Sequence, residues 1–129
     1  MTLIVGIGID LMEVGRLKER VSRQGEDFLQ QFLTAEELAD CRLDARPFAA
    51  YASRFTAKEA FSKALGTGVM GSLSWHDMSL VRDERGRETL QLKGLAKQGV
   101  EALGVDRVHL SLACEQEIAA AVVLLETTT

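Results

Sequence analysis

Two carboxylates stand where such side chains need a reason. Asp10 closes the apolar stretch Leu3-Ile4-Val5-Gly6-Ile7-Gly8-Ile9, which has the composition of a buried strand. Glu59 lies four residues after Phe55 in YASRFTAKEAFSKALGTG (51–68), so on an amphipathic helix the two share a face. That face is partly apolar, anchored by Phe55, Phe61, Ala64 and Leu65, and a carboxylate on it requires a partner. Arg54, Lys58 and Lys63 offer one solution, a salt-bridged and solvated helix; a metal ion offers another. Asp10 taken alone is either a helix cap or a ligand. Together, a strand-end aspartate and a helix-face glutamate suit a small hard cation. Magnesium commonly uses one or two carboxylates, keeps several waters and takes its remaining oxygens from substrate phosphates. No compact His/Cys cluster is present, which argues against zinc.

Other candidates are weaker. Gly6-Ile7-Gly8 suggests a dinucleotide fingerprint, but the third glycine and the following helix are missing, and Asp10 stands where a phosphate would approach. The glycines instead allow a close approach by another backbone or a ligand. His76 and His109 are the only histidines, and neither has a serine or cysteine in a nucleophile-elbow context. Arg42 and Arg46 flank a turn before Pro47 and could meet a phosphate at a cleft mouth. Arg16, Arg20 and Arg23 fall at i, i+4 and i+7 of a helix over 14–24, a basic stripe on a chain of net charge −4. The stripe is either a solvated face or a dock for an acidic partner.

These residues need a scaffold, and 129 residues suffice for one domain, 1–129, with a modest core. The negative charge disfavours a general grip on nucleic acid. Cys41 and Cys114 lack metal-like spacing and read as free thiols of a reducing compartment. The opening MTLIVGIGIDLME lacks a basic start and a cleavage pattern, so it reads as a first strand. No apolar run reaches the roughly 18 residues of a membrane span, and a cytoplasmic protein is expected. Helical patterns cover 14–24, 27–41 with Thr34 and Glu37 as a capping box, and 48–65. Strands are expected over 73–81, 88–92, 108–112 and 118–125, with a hairpin turn at 83–86 and a short helix over 94–103. The predicted class is α+β, a mostly antiparallel sheet packed with helices.

The motifs GIGIDLMEVGRL (6–17), FLTAEE (32–37), RFTAKEAFSKALGTG (54–68) and VHLSLACEQEIAAAVVLLE (108–126) resemble the small, single-repeat holo-[acyl-carrier-protein] synthases of bacteria. Those are 4'-phosphopantetheinyl transferases, and the resemblance spans essentially the whole chain. Thr56 replaces the usual alanine before Ala57-Lys58-Glu59, and Cys114 stands where relatives carry aspartate or histidine. The resemblance implies that phosphopantetheine passes from coenzyme A to an apo-acyl carrier protein. It implies Asp10 and Glu59 as magnesium ligands, with Lys63 beside them in catalysis. Arg54, Lys58 and Lys63 would surround the coenzyme A diphosphate, Gly66, Thr67 and Gly68 would lie beside the nucleotide, and Arg42 and Arg46 would meet the 3'-phosphate and adenine. Arg16, Arg20 and Arg23 would receive the carrier protein, and a homotrimer is implied. Two other readings stand beside it: a magnesium-dependent pyrophosphohydrolase, and a non-enzymatic binding module for an acidic protein.

Overall fold

A computed structural model describes residues 1–66 and 73–128. In chain order these form β1 (Thr2–Glu13), α1 (Val14–Gln24), α2 (Glu26–Phe32), α3 (Ala35–Arg42), α4 (Pro47–Leu65), a 3-10 turn (Trp75–Asp77), β2 (Met78–Arg82), β3 (Glu88–Leu92), α5 (Gly94–Ala102), β4 (Arg107–Glu115) and β5 (Ile118–Thr128). β1, β5 and β4 make an antiparallel sheet in that order, and β2 and β3 form a separate antiparallel hairpin. This is the expected α+β class. Among the described residues no helix is long and apolar enough to cross a membrane.

The helix α4 organises the molecule. Pro47 sits in its first turn, where the missing amide costs nothing, and Gly66 ends it at φ 85°. The expected amphipathic pattern gives way to burial nearly all round, because the sheet covers one side and α1, α2 and α3 the other. One core cluster lies between α4, α5 and the sheet, around Phe61, Met78, Val123 and Leu125. The second lies among the helices, around Leu17, Phe28, Phe32 and Tyr51. The capping box forms as expected, with Thr34 Oγ1 accepting from the Glu37 amide and Glu37 Oε1 from the Thr34 amide.

Two expected strands differ in detail. Residues 75–77 form the 3-10 turn, so the strand predicted over 73–81 is confined to β2, closed by a Ser74 cap on the His76 amide. β1 is an edge strand and not the buried one its run of apolar residues suggests. Its inward face is Gly6, Gly8, Asp10 and Met12, and its outward face leaves Ile7, Ile9 and Leu11 exposed at 65%, 58% and 65%. β5 is central, as expected, and alternates between buried and half-buried residues. Cys41 is buried and free, its thiol pushed up to about 11 chiefly by burial, while Cys114 is free and exposed.

Candidate active site

The glycines of β1 set the geometry. A Cβ on Gly8 would fall on the Ala60 carbonyl oxygen and 2.7 Å from the Ala64 amide nitrogen; one on Gly6 would fall on the Ala64 carbonyl. Only at those positions can the backbones of β1 and α4 come this close. The bulge between Ile4 and Gly6 precedes them, and regular pairing then places Asp10 opposite Ala121. Asp10 lies on the same strand face as Gly8, two residues on, and so comes up beside Glu59, the neighbour of Ala60.

Asp10 and Glu59 line one cleft of about 720 Å³. Lys63 Nζ, one helical turn beyond Glu59, donates to Asp10 Oδ1 at 3.1 Å and to the Ile9 carbonyl at 3.0 Å. Burial raises the Glu59 pKa, the nearby Asp10 carboxylate raises it further, and Lys63 lowers it. A partly buried pair of like charges is a site that a divalent cation relieves. Among the described residues no three His, Cys, Asp or Glu converge. That donor set suits a cation that completes its shell with water and substrate oxygens.

Lys58 departs from expectation. Its side chain is 0% exposed, and its ammonium donates to Glu37 Oε1 at 2.6 Å, the Phe32 carbonyl at 2.5 Å and the Trp75 carbonyl at 3.2 Å. With three donors engaged inside the protein, it does not reach a coenzyme A diphosphate. Burial lowers its pKa, against the raising effect of Glu37. Sequence reading took Glu37 only as a capping residue. Its second role, accepting also from the Leu80 amide at 2.9 Å, depends on contacts 21 and 43 residues away.

The remaining cationic candidates divide. Arg46 and Arg54 line a second cleft together with Arg82, Ser53 and Cys114, away from Glu59. Arg54 donates to the Ala50 carbonyl at 3.3 Å, and its buried Nε has no partner among the described residues. Arg46 donates to the Gln116 carbonyl at 2.9 Å, tying α4 to the β4–β5 turn. Arg42 is not with them; it pairs with Glu26 on α2. Arg82 was missed because nothing local distinguishes it from other surface arginines at a strand end. Gly66 forms the helix-ending turn, and Thr67 and Gly68 lie outside the described residues.

Arg16, Arg20 and Arg23 line the same cleft as the two acids. The Arg20 guanidinium lies over the Phe28 ring, 4.6 Å from its centroid, and Arg23 pairs loosely with Glu19 at 4.0 Å. Three arginines, interspersed with Glu13 and Glu19, therefore border the acid pair. His76 bonds the Gln30 carbonyl at 2.7 Å and His109 bonds Glu126 at 3.2 Å, so both have structural partners.

Comparison with known proteins gives a consistent result. Residues 6–123 match the 4'-phosphopantetheinyl transferase superfamily. The chain is 40% identical over 124 residues to the holo-[acyl-carrier-protein] synthase of Koribacter versatilis, covering 96% of this chain and 99% of that protein. The crystal structure of holo-[acyl-carrier-protein] synthase from Neisseria meningitidis superposes with a TM-score of 0.88 at 32% identity, over 95% of this chain and 98% of that one. The Helicobacter pylori holo-[acyl-carrier-protein] synthase in complex with coenzyme A gives a TM-score of 0.80 at 28% identity, over 92% and 98%.

Proposed function

Since the chain belongs to the holo-[acyl-carrier-protein] synthases of the 4'-phosphopantetheinyl transferase superfamily, we propose that the cleft of Asp10 and Glu59 is where it acts. The enzyme transfers phosphopantetheine from coenzyme A to apo-acyl carrier protein. All 129 residues are taken as one transferase domain. A serine oxygen of the carrier forms a bond to the phosphorus bearing the pantetheine arm. The bond from that phosphorus to the bridging oxygen breaks, adenosine 3',5'-bisphosphate leaves, and the serine proton is lost. Such a displacement needs alignment and charge neutralisation more than covalent help.

The observation that carries the assignment is one cleft lined by the acid pair and the three arginines, with Lys63 bonded to its Asp10. Asp10 and Glu59 would hold magnesium, which when bound supplies Lewis acidity and neutralises charge on the diphosphate. Lys63, half-exposed and bridging to Asp10, would release that contact to meet the departing phosphate. Glu59, on the wall of the cleft beside Asp10, is the protein group proposed to take the serine proton. Arg46, Arg54 and Arg82 line the second cleft together with Asp44 and Glu88, and guanidinium groups of this kind suit the 3'-phosphate of coenzyme A. Incubating the protein with magnesium, coenzyme A and apo-carrier, then weighing the carrier, separates this reading from a pyrophosphohydrolase and from a binding module. Only the transferase adds the mass of the phosphopantetheine arm.

Arg16, Arg20 and Arg23 form the proposed dock for the acidic carrier. Arg20 is held in place by Phe28, which spares ordering it at each encounter. Reversing charge at Arg16→Glu and Arg23→Glu should raise the KM for the carrier many-fold, and added salt should weaken the wild type in the same direction. Coenzyme A binding, followed alone by calorimetry, should be unchanged. Loss of coenzyme A binding in that double variant would move the stripe out of the docking role.

The exposed row of Ile7, Ile9 and Leu11 continues across the sheet to Ile118 of β5, at the rim of the acidic cleft. We infer that this face is covered by further copies of the chain, as a trimer, so that a neighbour completes the cleft. Light scattering at assay concentration should give about three times 14.1 kDa. A monomeric mass with full activity would contradict it.

A further inference from the structure

We propose that Lys58 is a positioning residue of the transfer site: through the backbones of Phe32 and Trp75 it fixes the aromatic wall beside Glu59. The proposal rests on the acidic cleft being the place of transfer. Lys58 and Glu37 are almost wholly enclosed, and their hydrogen bonds end on different segments. Lys58 holds the carbonyls of Phe32, at the end of α2, and Trp75, in the 3-10 turn. Glu37 holds the amides of Thr34, before α3, and Leu80, in β2. The rings of Phe32 and Trp75 in turn hold Phe55. Phe55 stands edge-on to Phe32 at 5.2 Å between centroids and tilted against Trp75 at 5.1 Å. Phe55 lines the cleft with Asp10 and Glu59, one turn before Glu59 on α4.

Stability does not explain such a pair. Desolvating two charges costs about as much as their attraction returns, and apolar replacements are often neutral or better. What the pair supplies is fixed geometry, since no held segment can shift without leaving a buried charge short of a partner. A wall pinned in this way keeps one side of Glu59 dry and holds the reacting groups in register.

Replacing Lys58→Met and Glu37→Gln together removes both charges, so no lone ion remains in the core. Trp75 is the only tryptophan, so its near-ultraviolet dichroism and emission report the wall directly. The double variant should fold, with a weakened tryptophan band and red-shifted emission. Its kcat should fall about 10- to 100-fold, the size expected of a small misplacement, with the carrier KM unchanged. Phe55→Leu, which leaves the ion pair in place, should lower kcat in the same way. A native Trp75 signal, or an altered one with wild-type kcat, overturns the proposal. Should the double variant fail to fold, Phe55→Leu decides: a fall in kcat at constant carrier KM upholds the wall, and wild-type kcat overturns it. Failure of the cleft itself would show separately, as full activity in Asp10→Asn.

Discussion

Asp10→Asn and Glu59→Gln should each cut phosphopantetheine transfer by about 10²- to 10³-fold or more, the scale for losing an electrostatic group that acts on the transition state. Neither change should unfold the protein. Glu59 is disfavoured as a charge by burial and by Asp10, so the neutral amide relieves a like-charge contact. The sign follows from linkage. A carboxyl whose folded pKa lies above its ordinary value of 4.5 binds its proton more tightly in the folded state. Its contribution to stability is present below pH 4.5 and is lost as pH rises through the raised value. Without metal, wild-type stability should therefore fall over that window, and Glu59→Gln should remove this component and melt no lower at neutral pH. Magnesium should reverse the order, raising the melting temperature of the wild type and not of either variant. Wild-type turnover in either variant at limiting magnesium would end the metal-site reading.

Gly8→Ala is the second large effect, and it acts through backbone. The added methyl would fall on the Ala60 carbonyl, and neither α4 nor β1 has a flexible side chain there to yield. Overpacking of this kind costs about 1–3 kcal/mol or more. Over a domain of this size that amounts to a fall in melting temperature of about 4–11 °C. Activity should fall further than the folded fraction, because relief of the clash moves α4, and Glu59 with it, away from Asp10. Gly15→Ala is the control: nothing lies within 4 Å of its Cβ on α1, so it should be neutral or slightly stabilising. Equal melting temperatures for Gly8→Ala and wild type would show that α4 and β1 have room to spare.

The reach of the sequence can be stated residue by residue. Asp10 and Glu59 were legible because a carboxylate in an apolar context is conspicuous locally, whatever the fold. The α+β class, the capping box at Thr34 and Glu37, and the hairpin closing at β3 were legible for the same reason: each depends on periodicity or turn chemistry within a few residues. The chain alone also carried the transferase family, in motifs spread from 6–17 to 108–126. Tertiary structure decided which side of each element faces what. β1 has the composition of a buried strand but lies at a sheet edge, because pairing order is a long-range property. Arg54, Lys58 and Lys63 form one basic group in sequence, yet they end in a second cleft, in the core and on Asp10 respectively. On a helix buried nearly all round, successive positions meet different neighbours, and only the packing of Phe32, Glu37 and Trp75 around α4 turned Lys58 inward.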